Sequence, residues 1–387
     1  MCASINLISS PTPPFVRWAG NVAALFVGIV SCDKTQSEPK NSAAARGLLA
    51  VSAGARTDSM LEGPITEFTL PNPNSGPGGL RFGPDNKLWF TEQLGNRIGR
   101  MTRKGRITEF PIPTANSSPR GLAPGPDGNL WFCEFTGNTI GVITPRGDII
   151  AEFVLPHPNS GPAGITVGLD GNLWFVEGGN RIGRITIHGA ITEFDLPNPN
   201  SGPNQITVGP DGNLWFTEFS GSRIGTIRHD GTHLAEFALR PTSMPVGITT
   251  GPDDNVWFTE REGNRIGRIT ADGSITEFDL PKPNGGPAGI TVGSEDDLWF
   301  GELFGNRVGR ITTGGAITEF ELVNPNSGPR AITTGVDGSI WFAEYLGNRI
   351  GHLESMENDE HEGAEGHRRA VLHDALFERG SEPADEE

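Results

Sequence analysis

At 387 residues and a net charge of −17, the chain is too acidic for nucleic acid or an anionic membrane surface to be a natural partner. Its three cysteines, Cys2, Cys32 and Cys133, supply neither a disulfide framework nor the spacing of a metal site. The 54 glycines and 31 prolines call for many turns, and a hydrophobic content of 35% suffices for thin layers packed face to face.

The first sixty or so residues do not share the pattern that follows. Arg17 precedes an apolar run, Trp18 to Val30, too short to span a bilayer and of the right length for a signal-peptide core. The run ends in Ile29-Val30-Ser31-Cys32, which resembles the lipobox at which bacterial lipoproteins are processed and lipidated. Residues 1–32 therefore read as a leader and 33–63, rich in small and polar residues, as a flexible tether. The expected location is outside the cytoplasm, periplasmic or membrane-anchored through Cys32. A cytoplasmic protein with an unstructured N-terminus is the alternative.

From Ile65 to Glu354 one sentence is repeated. Its tryptophans, Trp89, Trp131, Trp174, Trp215, Trp257, Trp299 and Trp341, are separated by 42, 43, 41, 42, 42 and 42 residues. A fixed period of that length without a helical pattern inside it marks a radial or stacked repeat. Each copy holds four short strand-like runs. In the first copy these are Gly79–Phe82, Leu88–Glu92, Arg97–Thr102 and Ile107–Phe110, parted by Gly-Pro-Asp-Asn, Gly-Asn and Arg-Lys-Gly turn signals. Three short links make an antiparallel meander. The fourth, Pro111 to Gly121, is long enough to cross from the outer edge of one blade to the inner edge of the next. Four-stranded units repeated about an axis predict an all-β, seven-bladed β-propeller over 64–354, in preference to a β-solenoid.

The ends of the array predict how it closes. The first Glu-Phe strand precedes the first Trp strand, and nothing like it follows Arg349-Ile350-Gly351. The strand Ile65 to Leu70 is then the outer strand of the last blade, and two open edges disappear together. Beyond it, residues 355–387 form an acidic tail with 11 carboxylates against three arginines. Ala364 to Arg379 within it reads as a short amphipathic helix or as unstructured chain.

Strand alternation puts the long interblade links and the turns after Trp-Phe-Xaa-Glu on one face. Glu92, Glu134, Glu177, Glu218, Glu260, Glu302 and Glu344 are expected there, in a set of oxygens that suits Mg2+ or Ca2+. Arg97, Arg181, Arg223, Arg265, Arg307 and Arg349 stand across each turn, so cross-strand ion pairs are the competing expectation. In the second copy Thr139 replaces the arginine, which leaves Glu134 as the least neutralised acid unless Arg120 takes over. Phe135, Phe219, Leu303, Phe304 and Tyr345, with Arg120 and Arg330, are the candidate ligand-binding residues at a mouth suited to a mid-sized, partly apolar ligand. Packing of the same side chains against interblade loops is the alternative.

The motifs Gly-Pro-Xaa-Gly-Ile-Thr, Leu-Trp-Phe-Thr-Glu and Gly-Asn-Arg-Ile-Gly-Arg-Ile resemble those of the virginiamycin B lyases, or streptogramin lyases, over roughly Ile65 to Glu354. The resemblance implies a seven-bladed propeller that opens a cyclic depsipeptide by elimination. It also implies Mg2+ near the axial mouth, with Glu302 and Glu344 as candidate ligands, and a histidine base directly after the interblade proline. At the seven matching positions this chain has Gly78, Arg120, Ala163, Asn204, Val246, Ala288 and Arg330, none of them a base near neutral pH. His157 stands in an interblade link, several residues ahead of its proline. The expectation is a monomeric propeller that binds a small molecule or cyclic peptide, with little lyase activity. The alternative is a metal-dependent carbon–oxygen lyase using Glu134 as base.

Overall fold

The computed structural model describes residues 65–354; the leader, the tether and the acidic tail lie outside them. Twenty-eight strands form seven four-stranded antiparallel sheets, with no helix among the described residues. The first complete blade contains β2 (Pro77–Phe82), β3 (Leu88–Glu92), β4 (Arg97–Met101) and β5 (Ile107–Pro111) in that order from the axis outward. The strands fall where the turn residues placed them. Five more blades repeat the order, and the seventh is Pro329–Thr334, Ile340–Glu344 and Arg349–Leu353, completed by β1 (Ile65–Thr69). In that closure Ile65 pairs with Leu353 and Thr69 with Arg349.

The repeated residues each have a physical task. Every middle-strand tryptophan is buried, and a buried indole N–H needs an acceptor. In blades one to five the aspartate of the preceding turn supplies it, as Asp85 does for Trp89 at 2.9 Å and Asp211 for Trp215 at 2.9 Å; Ser339 substitutes in blade seven. The indole stacks on the outer-strand phenylalanine of its own blade, and across the closure Trp341 stacks on Phe68 at 6.1 Å. These layers and their aliphatic neighbours form a separate hydrophobic cluster between each pair of adjacent blades.

The asparagine of Gly-Asn-Arg adopts a left-handed backbone, φ 55° at Asn96, a conformation that Asn tolerates better than most residues. Its side chain receives the Ser117 amide at 2.7 Å and donates to Thr114, which fixes the interblade link. Asn348 does the same for Ser75 and Asn72 across the ring closure. The seam is therefore latched like any other blade junction.

Candidate functional site

The first strand of each blade carries a β-bulge just after its proline. In β2, Pro77 faces Glu92 and Leu80 faces Phe90, so three steps on one strand match two on the other. Bulges re-aim side chains, and here the residues directly after the prolines turn towards the axis. The inner strands crowd together at this level. A Cβ on Gly79 would lie 2.2 Å from the Arg120 carbonyl oxygen, so only glycine fits. The threonine of Trp-Phe-Thr-Glu clamps the junction: Thr91 accepts from the Gly79 amide at 2.8 Å and donates to the Arg120 carbonyl at 2.9 Å. Thr217 and Thr259 repeat this clamp.

All seven inner strands enclose an axial cavity of about 120 Å3. At 10–15 Å3 per water that is room for on the order of ten waters. Its wall is largely aliphatic and glycyl, with Asn204, Gln205 and Gln93 as neutral polar groups. Its charged lining residues are four arginines, Arg81, Arg120, Arg261 and Arg330; no carboxylate or histidine is among the lining residues.

The seven glutamates are elsewhere. Each is fully buried inside its own blade and none lines the cavity. In six blades the cross-turn arginine meets the carboxylate, for example Arg97–Glu92 at 2.9 Å, Arg265–Glu260 at 2.7 Å and Arg349–Glu344 at 2.7 Å. The same arginine also reaches a second glutamate, from the Thr-Glu-Phe of the outer strand. Arg97 lies 3.5 Å from Glu109, and Arg349 lies 3.0 Å from Glu67. The cross-strand pair expected from the sequence is thus the inner half of a Glu–Arg–Glu bridge.

Blade two departs from this. Thr139 is buried beside Glu134, and no cation lies within ion-pair reach of Glu134 or of its outer partner Glu152 among the described residues. Burial, with Glu152 adding to it, lifts the Glu134 pKa to about 7. Ser117 pulls the other way, but no hydrogen bond of normal length reaches either Glu134 oxygen or the Thr139 hydroxyl. Arg120 does not take over. Its guanidinium lies 3.3 Å from the centre of the Phe135 ring, on the cavity side.

Of the candidate ligand-binding residues, Arg120, Arg330 and Leu303 line the cavity. Phe135 and Tyr345 sit under arginines, with Arg330 lying 4.9 Å from Tyr345, and Phe219 supports Arg261 at 4.5 Å. Phe304 is outside the lining, exposed on the rim against Gly286. Arg81, Arg261 and Gln205 are not among the residues singled out from the sequence, and Asn204 is named there only as a position that lacks the base. The signal for Arg81 was available, because it occupies the inner-strand position that is Thr in five of the other six blades. Gln205 likewise replaces the bulge glycine.

The acids do not fit a hard divalent cation. Mg2+ asks for several oxygens in near-octahedral array. Among the described residues no three of His, Cys, Asp and Glu come together in a metal-holding group. Glu302 and Glu344 are each occupied by an arginine, at 2.5 and 2.7 Å. Burial still lifts Glu302 to about 7, with Glu319 sharing the same arginine. None of the five described histidines lines the cavity. His157, in its interblade link, pairs with Glu193, and His352 stacks on Trp341 at 3.9 Å.

Comparison with known proteins adds to this geometry. The family model described as virginiamycin B lyase matches residues 54–232 and 178–365. A solved streptogramin B lyase structure is 44% identical, covering 74% of this chain and 96% of that one, with a TM-score of 0.71. A catalytically inactive histidine-to-alanine variant of the Staphylococcus aureus virginiamycin B lyase, solved with quinupristin, is 43% identical. It covers 76% of this chain and 99% of that one, with a TM-score of 0.72. The virginiamycin B lyase of Bacillus licheniformis is 49% identical over 41 residues, which is 11% of this chain and 14% of that protein.

Proposed function

The chain belongs to the virginiamycin B lyase family, and from that premise we propose that it is a binding member, which holds a ligand at the axial cavity without catalysing the ring-opening elimination. The observation that carries this reading is the cavity wall. Elimination needs a base within hydrogen-bond reach of the proton it removes. The residues after the seven prolines are Gly, Arg, Ala, Asn, Val, Ala and Arg, and no titratable base is among the residues lining the cavity. One histidine-to-alanine change inactivates the Staphylococcus aureus relative.

The test is direct. Virginiamycin B incubated with the purified protein, with and without Mg2+, should remain cyclic by chromatography at the rate of the buffer control. General base catalysis is worth about 10²–10⁴-fold, so its loss should leave little turnover. Robust ring opening by the unmodified chain would defeat the proposal.

A second reading rests on Glu134, whose pKa near 7 is that of a competent base. It is weakened by position, since Glu134 is fully buried within blade two and faces no cavity-lining space. Should ring opening occur, Glu134→Gln would abolish it if this carboxylate were the base.

We also place the binder outside the cytoplasm, on the strength of the Trp18–Val30 run and the Ile-Val-Ser-Cys sequence ending at Cys32. Cys32→Ser should then release the protein from the membrane fraction or block its processing. Full-length wild-type protein in the soluble cytoplasm would reject both export and anchoring.

A further inference from the structure

We propose that the ligand of the axial cavity is a small anion, a carboxylate or phosphate monoester carried on a short apolar body, gripped by Arg120 and Arg330. The inference rests on the binding role proposed above and supplies the chemical class that the site selects.

The charge pattern is the first support. In a chain of net charge −17, the four charged groups lining this cavity are all arginine. The cross-turn arginines of six blades are consumed by Glu–Arg–Glu bridges, while Arg100 and Arg184 are spent on backbone carbonyls and aromatic rings. Arg81, Arg120 and Arg330 have no carboxylate within 4 Å among the described residues. Arg330 donates to the neutral Gln93 side chain at 2.5 Å, Arg81 to the Leu80 carbonyl at 2.9 Å, and the Arg120 Nε is buried without a hydrogen-bond partner.

The arrangement is the second. Arg330, Gly78 and Arg120 are the residues after the prolines of blades seven, one and two, which are neighbours around the axis. Two guanidinium groups therefore flank a position without a side chain, and Arg81 lies further along the inner strand of the blade between them. Arg120 and Arg330 stand close enough to repel one another, as do Arg330 and Arg261. The aromatic rings beneath Arg120, Arg261 and Arg330 hold these like charges in place. Guanidinium forks set in this way match the planar oxygens of a carboxylate or the tripod of a phosphate. An anion placed between them relieves this repulsion.

Size and wall chemistry restrict the remainder of the ligand. Room for on the order of ten waters takes an anionic head and a short body. The aliphatic wall, with Val246, Ile248, Ile290 and Leu303, favours an apolar body.

Calorimetric titration of the full chain at low salt with inorganic phosphate in one arm and benzoate in the other tests this. Saturable one-to-one binding of at least one anion is expected, and the tighter arm identifies which source of negative charge the site prefers. Arg120→Gln and Arg330→Gln should each weaken that binding about tenfold or more, Arg330→Lys should retain part of it, and added chloride should compete. Without ligand, the double glutamine variant should melt higher than wild type at low salt, because the repulsion is removed. That readout guards against misfolding. No saturable binding in either arm, or equal binding by wild type and the folded double variant, overturns the proposal. Ring opening of virginiamycin B would instead overturn the binding role itself, so the two failures are distinguishable.

Discussion

Blade two and its six siblings share one backbone and differ in what fills the middle of the sheet. In the siblings an arginine stands between a buried and a half-buried glutamate; in blade two Thr139 stands there, and Glu134 and Glu152 face each other with no cation in ion-pair reach among the described residues. The contrast separates two uses of one side-chain type. Arginine on the third strand of a blade is internal ballast for buried acids. The arginines after the inner-strand prolines, Arg120 and Arg330, have no carboxylate within ion-pair reach among the described residues. Ionic groups of the first kind sit within the blades; those of the second kind line the axial cavity.

The contrast is broken most severely by removing a sibling's cation. Arg265→Ala leaves the fully buried Glu260 without its partner at 2.7 Å, while Glu277, 3.6 Å from Arg265, keeps Arg240 at 2.6 Å. Breaking a buried pair from one side costs about 3–5 kcal/mol. We expect Tm to fall by several degrees, with most of the loss recovered when Glu260→Gln is added. A change no larger than that of a surface substitution would show that these bridges do not hold the blades.

Blade two should respond in the opposite direction. The Glu134 pKa is about 7 in the folded protein against an ordinary 4.5. The folded state thus binds the proton more tightly than the unfolded one. Stability is favoured below about pH 4.5 and lost as pH rises through 7, up to a ceiling of about 3 kcal/mol. Glu134→Gln should be neutral near pH 5 and stabilising at pH 8, the gap opening between those values in thermal melts. Equal effects at both pH values would show that Glu134 is ionised throughout.

Much of this was legible in the sequence because the repeat reports on itself. The Trp period gave the blade number, the turn dipeptides gave the strands, and the misplaced first Glu-Phe strand gave the closure seen in the pairing of Ile65 with Leu353. The identity of the mouth was not legible. Period-two alternation says which face of a sheet a side chain takes, but the bulge after each proline inserts one residue and resets that count. The glutamates expected at the mouth end the second strand, one step further from the axis, where the cross-turn arginines hold them inside the blades; Arg120 and Arg330, expected at the mouth, do line the cavity. The second glutamate of each bridge was also hidden, since Thr-Glu-Phe reads only as an ordinary outer strand until β4 and β5 are seen in register, Gly99 opposite Glu109.

The smallest effect sharpens the comparison furthest. Thr139 either supports an ionised Glu134 through its hydroxyl or merely fills the space that arginine has vacated. The hydroxyl oxygen is buried and has no hydrogen-bond partner of normal length, so replacing it with a methyl group should change little. We expect Thr139→Val to alter stability by no more than about 1 kcal/mol, tending to stabilise, because an unsatisfied buried hydroxyl is removed from a site of the same shape. The effect should be the same at pH 5 and pH 8. A loss confined to pH 8 would mean that the hydroxyl carries part of the Glu134 charge. Thr139 would then be a weak stand-in for the missing arginine, and blade two would differ from its siblings in degree only.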